Sequence, residues 1–331
     1  MYELIAKNKR KSWLIFFAMG ILLLALGGGL GFIFDSNPMS GQGVAIGIVV
    51  AFIIWLVQAL IAYKRGAKVI LSTMEAQEIT KNDDPTLYNI IEELSMVSGL
   101  PMPKIYIINT DAMNAFATGT KIENSVVAIT RGLRQRLNRQ EIQAVMAHEM
   151  SHIYNRDIVY MTFASIMMCT IVLISQILTR SFFYGGINNR RSSSDDGKNG
   201  VAQVIIIAIV IVLAIFSALL SQLFYFSLSR KREYLADTMA VNFTHDPNAL
   251  ADALQKISGD NVAFDPGKMA SAMCISKPNL GERVATLFST HPPISKRIDI
   301  LRAMSQGTSY ENYCQAYQKV MGKNDLPKFR S

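Results

Sequence analysis

Residues 138–152 read NRQEIQAVMAHEMSH, and this stretch decides the fold of the polar part of the chain. Asn138 is followed three residues later by Glu141, which matches a capping box and marks the start of a helix. An apolar stripe at helical spacing follows, formed by Ile142, Val145 and Met146. The pattern therefore predicts a helix that buries one face and carries the motif HEMSH near its end.

The two histidines of this motif, His148 and His152, lie four residues apart. An α-helix turns about 100° and rises about 1.5 Å per residue, so their side chains point about 40° apart and both can reach one metal ion. Glu149 flanks that face, which suits a general base acting on water at a metal. The alternative is a solvated helix with two surface histidines, because H-E-x-x-H alone is only moderately specific.

A third metal ligand must come from outside the motif, because catalytic zinc sites generally have three protein ligands and one open position. The metzincin pattern is excluded, since Asn155 and Ile158 stand where that pattern needs Gly and His. Asp157 would lie about 140° around a continuous helix from His152, at about 100° per residue, and is better placed to orient a ligand than to bind the ion.

The run SRKREYLAD at 229–237 is the remaining candidate for the third ligand. Glu233 and Asp237 are four residues apart and share a helix face, so one can bind the ion while the other holds an imidazole N–H. The alternative is that Arg232 and these two carboxylates form surface ion pairs.

The composition of the 331 residues, 50% hydrophobic and 18% charged with a mean hydropathy of +0.23, indicates a membrane protein. Four runs without Asp, Glu, Lys, Arg or His are long enough to span a bilayer, at 12–34, 41–63, 158–179 and 199–229. Their lack of ionisable groups excludes the proton relay or ion site of a pump or channel. Three cysteines without C-x-x-C spacing exclude a disulfide scaffold and a cysteine-based zinc module.

The net charge of +8 comes from basic residues that cluster beside the apolar runs, which indicates orientation in a bilayer and no nucleic-acid partner. The Lys/Arg distribution places the N-terminus and the segments 64–157 and 230–331 in the cytoplasm. The loop 180–198 is also basic, so the last two runs either break this rule or do not span. Both options keep the two polar segments on the same side of the membrane.

Shorter patterns define the rest of the polar part. Residues 85–97 have helical spacing, and KIYIIN at 104–109 and SVVAIT at 125–130 read as strands. The predicted fold class is therefore mainly α with a small β-sheet, joined to multi-pass membrane helices.

Five motifs in one order resemble the HtpX family of membrane zinc proteases. They are the first two apolar runs, NAFATG at 114–119, HEMSH, SRKREYLAD after two more apolar runs, and HPP at 291–293. The resemblance implies a gluzincin-type zinc protease domain with one Zn²⁺ per chain. It makes His148, His152 and Glu233 the zinc ligands and Glu149 the general base, and it matches Asp237 to the aspartate that follows the family's glutamate ligand.

The resemblance also implies a substrate groove lined by an edge strand at NAFATG. Asn114, Ala115, Phe116 and Ala117 would then bind substrate through main-chain hydrogen bonds. The alternative is an ordinary buried strand. His291 would be catalytic, with His291 or Arg297 stabilising the oxyanion or bracing the site, whereas its position before a helix is also typical of a cap or packing residue.

The function implied by the resemblance is cleavage of misfolded or damaged membrane proteins in protein quality control and the stress response. The protease would sit in the bacterial cytoplasmic (inner) membrane with its active site facing the cytoplasm, and its partners would be unfolded polypeptides and the lipid bilayer. The expected parts are a membrane hairpin at 1–63, two halves of the protease domain at 64–157 and 230–331, and a second apolar pair at 158–229. Alternatives are a CAAX-type prenyl-protein protease and a non-catalytic, zinc-containing membrane adaptor.

Overall fold

The structure is a computed structural model that describes residues 2–35, 40–184, 208–221, 223, 230–260, 262, 293–304, 307–323 and 326. Three of its helices are long and apolar enough to cross a membrane. They are α1 (Tyr2–Phe34), α2 (Gln42–Thr73) and α6 (Asp157–Tyr184). A shorter apolar helix, α7 (Ala208–Ser221), accounts for most of the described part of the fourth predicted run.

Helices α1 and α2 form a hairpin in which the two backbones touch at glycines. A Cβ atom added to Gly31 would lie 1.9 Å from the carbonyl oxygen of Gly43, and one added to Gly47 would lie 2.1 Å from that of Gly27. Small residues permit this close approach, which is how membrane helices pack tightly. Helix α2 continues past the apolar run predicted to end at 63 as far as Thr73.

The sheet has four strands in the order β1-β2-β4-β3, where β1 is Gln77–Ile79, β2 Lys104–Ile108, β3 Ala115–Thr118 and β4 Val126–Thr130. Strands β2 and β4 are parallel, and β3 runs antiparallel to β4 with Ala115 opposite Ile129. The strands predicted at 104–109 and 125–130 are confirmed. Strand β3, from the NAFATG motif, lies at one edge of this sheet.

Helix α5 (Arg139–Tyr154) lies at the centre of the polar part, where it packs on α3 (Pro85–Ser98), and it follows the short helix α4 (Arg131–Arg136) along the chain. The predicted capping box is confirmed, because Asn138 Oδ1 accepts from the Glu141 N–H and Glu141 Oε2 accepts from the Asn138 N–H, both at 2.9 Å. Two orphan donors at the helix start are thereby satisfied. Helix α5 therefore begins where the sequence predicts.

The chain after the second apolar pair packs back onto α5. It forms α8 (Arg230–Thr244), α9 (Pro247–Ser258), α10 (Ile294–Arg302) and α11 (Tyr310–Met321). Helices α8 and α9 and strand β3 contact α5 directly, while α10 packs on α9 and α11. The fold is mainly α with a small mixed sheet, as predicted, and most residues of the helix that carries HEMSH are buried.

Candidate active site

The HEMSH motif lies in the protein interior. His148 is 1% exposed, Glu149 3% and His152 4%, because α5 is covered by β3, α8 and α9. The imidazole rings of the two histidines stand 4.9 Å apart at an interplanar angle of 89°. This burial excludes the alternative of two surface histidines on a solvated helix.

Glu233 of α8 meets both histidines. Its Oε2 lies 3.4 Å from Nε2 of His148, and its Oε1 lies 3.5 Å from Nε2 of His152. One ligand atom from each of the three residues falls within 4.8 Å of the other two. The structure thus brings the distant carboxylate and the helical histidine pair together.

Each histidine also faces a second carboxylate through its other ring nitrogen. Asp237 Oδ1 lies 3.0 Å from Nδ1 of His148, and Asp157 Oδ2 lies 3.3 Å from Nδ1 of His152. Asp237 is 0% exposed and Asp157 1%. Both aspartates therefore lie where they can hold an imidazole ring in a fixed orientation.

The position of Asp157 follows from a break in the helix. A continuous helix would place Asp157 about 140° around its axis from His152, but the helix does not continue. Helix α5 ends at Tyr154, Arg156 takes the left-handed φ of 59°, and α6 begins at Asp157 itself. In this arrangement the Asp157 carboxylate contacts Nδ1 of His152.

Two buried arginines complete the cluster. Arg297 of α10 donates to Asp237 through Nε at 2.8 Å and Nη2 at 2.6 Å, and its Nη1 lies 3.6 Å from Glu233 Oε2. Arg232 of α8 pairs with Asp157 at 3.1 Å. The alternative reading of SRKREYLAD as surface ion pairs is wrong, since Arg232, Glu233 and Asp237 are all buried. Sequence reasoning missed the contact of Arg232 with Asp157, and no local signal indicates it.

Burial and neighbouring charges shift the pKa values of His148 and Asp237. Burial and the Arg297 charge lower the pKa of His148, but hydrogen bonds to Asp237 and Glu233 prevail and raise this pKa to about 9. Burial raises the pKa of Asp237, and the Arg297 charge together with His148 outweighs it, so the net pKa is lowered. The Asp237 carboxylate is therefore held ionised next to groups that can carry positive charge.

The donor set fits a zinc ion. Catalytic zinc sites use imidazole nitrogens and a carboxylate oxygen from three protein residues, and zinc-binding histidines turn their second nitrogen to a carboxylate or carbonyl. His148, His152 and Glu233 supply two nitrogens and one carboxylate, and Asp237 and Asp157 supply the outer carboxylates.

The predicted substrate strand lies beside the motif helix. Strand β3 contacts α5 and pairs with β4, and just before β3 the Thr130 N–H donates to Asn114 O at 2.9 Å. Asn114, Ala115, Phe116 and Ala117 are each at most 3% exposed. Their role in binding substrate therefore stays a prediction. His291 lies outside the described residues.

Comparison with known proteins identifies the family. Residues 81–305 match the model of Peptidase family M48. The chain is 40% identical over 309 residues to a "Protease HtpX homolog" of Dictyoglomus turgidum, covering 92% of this chain and 95% of the relative. It is 37% identical over 305 residues to the protein of the same name in Streptococcus gordonii, covering 92% and 100%.

Among solved structures, the chain is similar to Ste24p of S. mikatae, with a TM-score of 0.47 and 20% sequence identity. The similarity covers 90% of this chain and 66% of that protein, slightly less than two thirds of its length. The match of residues 81–305 and the two HtpX homologues show the family, and the buried histidine pair with its carboxylate and the three helices long enough to cross a membrane agree with it. The chain therefore belongs to peptidase family M48 and is a membrane metalloprotease of the HtpX family.

Proposed function

We propose that His148, His152 and Glu233 bind one zinc ion and that Glu149 is the general base of peptide hydrolysis. One observation carries this proposal: the Nε2 atoms of both histidines face Glu233, while their Nδ1 atoms face separate carboxylates. An ion at the Nε2 side would be held by all three residues at once, with each Nδ1–H donating outward to its aspartate.

The chemistry divides between the ion and the chain. Zinc bound at such a site supplies Lewis acidity, which polarises a carbonyl and lowers the pKa of water toward about 7. Glu149 takes the proton of the attacking water and hands it to the leaving amine. Asp237 and Asp157 hold the two imidazole rings, and the burial of the site strengthens these interactions by excluding water.

We further propose that the substrates are unfolded or damaged membrane proteins, cut on the cytoplasmic side of a bacterial cytoplasmic membrane as part of the stress response. Strand β3 supports a substrate site at the membrane, because Thr118 Oγ1 lies 3.0 Å from Thr162 Oγ1 of the membrane helix α6. A peptide added to this edge strand would gain main-chain hydrogen bonds that depend little on its sequence, which suits varied substrates.

The proposed division of the chain places a membrane hairpin at 1–63 and the halves of the protease domain at 64–157 and 230–331, separated by the apolar pair at 158–229. Contacts of α8 with α5 support two halves that form one unit. The cytoplasmic side is supported by Lys64, Arg65 and Lys68, which are exposed on α2 beyond its apolar run.

The roles of Glu149 and Glu233 are tested on the full chain purified in detergent, with casein as substrate. Glu149→Gln should keep bound zinc and the fold while cleavage falls by orders of magnitude, and Glu233→Ala should lose zinc as well. Glu93→Gln, which changes a carboxylate that is 42% exposed on α3, should behave as the wild type. Full activity in Glu149→Gln, or zinc and activity retained in Glu233→Ala, contradicts the proposal.

The membrane side is tested with single cysteines in a background without the three native ones. Gln42→Cys lies at the start of α2, and Lys81→Cys lies in the polar part; both positions are exposed. A membrane-impermeant maleimide added to intact cells should label the first and reach the second only after the membrane is opened. The reverse pattern would place the active site outside.

A further inference from the structure

Arg232, the residue directly before Glu233, is buried between the polar part and the membrane helices. Its side chain is 6% exposed, although arginines are rarely buried unless paired. Its Nη1 lies 3.1 Å from Asp157 Oδ1, and Asp157 Oδ2 lies 3.3 Å from Nδ1 of His152. The three side chains therefore form a continuous series, Arg232–Asp157–His152, that ends at a predicted zinc ligand.

The series joins the two ends of the second apolar pair. Asp157 is the first residue of α6, where the chain enters that pair, and Arg232 lies in the first turn of α8, where the chain has left it. The Arg232 guanidinium also lies 5.5 Å from the ring centroid of Tyr160, about one turn further along α6. The Arg232 side chain thus contacts α6 at both Asp157 and Tyr160, and it lies next to Glu233, the proposed ligand from α8.

The same arrangement occurs on the other histidine. Arg297 pairs with Asp237, which in turn faces Nδ1 of His148. Each imidazole therefore contacts a buried carboxylate, and each of these carboxylates is paired with a buried guanidinium. A carboxylate removed from water needs such a counter-charge to be stable where it lies.

We propose that Arg232 is a positioning residue of the metal site. It holds the Asp157 carboxylate against His152 and so fixes the orientation of that ring, and it fastens the start of α8 to the start of α6 so that Glu233 meets the histidines. This inference rests on the proposed zinc site. Loss of the outer partners of metal-binding histidines typically weakens metal affinity by about 10–100-fold.

The test measures zinc affinity by competition with a chelator, on the full chain in detergent and at a temperature where circular dichroism shows every variant folded. Arg232→Gln and Asp157→Asn should each weaken zinc binding by about 10–100-fold. The double variant should bind about as weakly as Asp157→Asn alone, because residues that act in series are not additive. Arg232→Lys, which keeps the charge without the planar fork, should restore part of the affinity.

The matched control is Arg139→Gln on α5, whose ion pair with Glu93 at 2.6 Å leaves both side chains more than 40% exposed, at 49% and 42%. It should bind zinc as the wild type does.

The positioning role is overturned if folded Arg232→Gln binds zinc with wild-type affinity, or if the two losses multiply in the double variant. If Arg232→Gln does not fold, the same criteria apply to the cycle of Arg232→Lys and Asp157→Asn. A wild type that binds no zinc contradicts the proposed function itself, whereas tight wild-type binding with an unaffected Arg232 variant contradicts only this inference.

Discussion

Arg297 Nη2 lies 2.6 Å from Asp237 Oδ1, and both side chains are fully buried, at 0% exposed. Asp237 of this pair also contacts Nδ1 of His148, so the pair supports the candidate metal site. Its placement differs from that of Arg302, which lies on the same helix α10 and pairs with Asp252 at the surface, where the two side chains are 40% and 46% exposed. One helix thus offers a buried ion pair and an exposed one for direct comparison.

Replacing Arg297 should destabilise the protein strongly. Arg297→Met leaves the Asp237 carboxylate buried without its main counter-charge, which costs about 3–5 kcal/mol, whereas Arg302→Met removes an exposed pair that contributes about 0–1 kcal/mol. Denaturant unfolding in detergent should therefore separate the two variants clearly. Equal stability losses would mean that the Asp237 carboxylate does not depend on Arg297.

Stability of the metal-free protein should fall as the pH rises. Burial and the Arg297 charge lower the pKa of His148 in the folded protein, but hydrogen bonds to Asp237 and Glu233 outweigh them and raise it to about 9, whereas it is about 6.5 in an unfolded chain. The folded state binds the proton more tightly, so this contribution is fully present below about pH 6.5 and is lost as the pH rises through about 9.

Thermal unfolding of the chelator-treated protein between pH 6.5 and 9 measures this effect. The midpoint should decrease across the range, less steeply in His148→Ala. Added zinc should remove much of the dependence, because a metal-bound imidazole carries no such proton. A midpoint that rises with pH in the metal-free wild type would contradict the raised pKa.

The glycine contact between α1 and α2 should tolerate no side chain. A Cβ atom at Gly31 would lie 1.9 Å from a backbone oxygen, so Gly31→Ala must push the helices apart, at a cost of about 1–3 kcal/mol. At Gly28 the nearest atom is 3.2 Å away in the flexible side chain of Ile48, and Gly28→Ala should be nearly neutral. Thermal stability in detergent compares the two, and a neutral Gly31→Ala would show that the helices are further apart than described.

Asp84 should contribute to stability mainly as a helix cap. Its Oδ1 accepts from the Leu87 N–H at 3.0 Å at the start of α3, and its Oδ2 lies 2.6 Å from Nε of Arg134. Asp84→Ala removes both interactions and should cost about 1 kcal/mol or somewhat more, while Asp84→Asn keeps the cap and should cost less. Denaturant midpoints of the two variants give the comparison, and equal losses would assign the effect to the ion pair.

The local features of this protein were predictable from short stretches of chain. The start of α5 at its capping box, the strands at 104–108 and 126–130, and the common face of His148 and His152 all depend on residues within one or two turns of each other. Helical period, caps and apolar runs act over that distance, so the sequence alone indicates them. Membrane-spanning length is a local property in the same sense.

The neighbours of the histidines were decided by tertiary structure. The sequence offered Glu233 and Asp237 as equivalent candidates on one helix face, and only the packing of α8 on α5 turns the first to the Nε2 atoms and the second to an Nδ1 atom. The break at Arg156 that delivers Asp157 depends on how α6 leaves α5. Burial of Arg232 and Arg297 likewise requires helices that are distant in sequence to close over them. Such contacts arise only when the whole core assembles, because no short stretch of chain contains both partners.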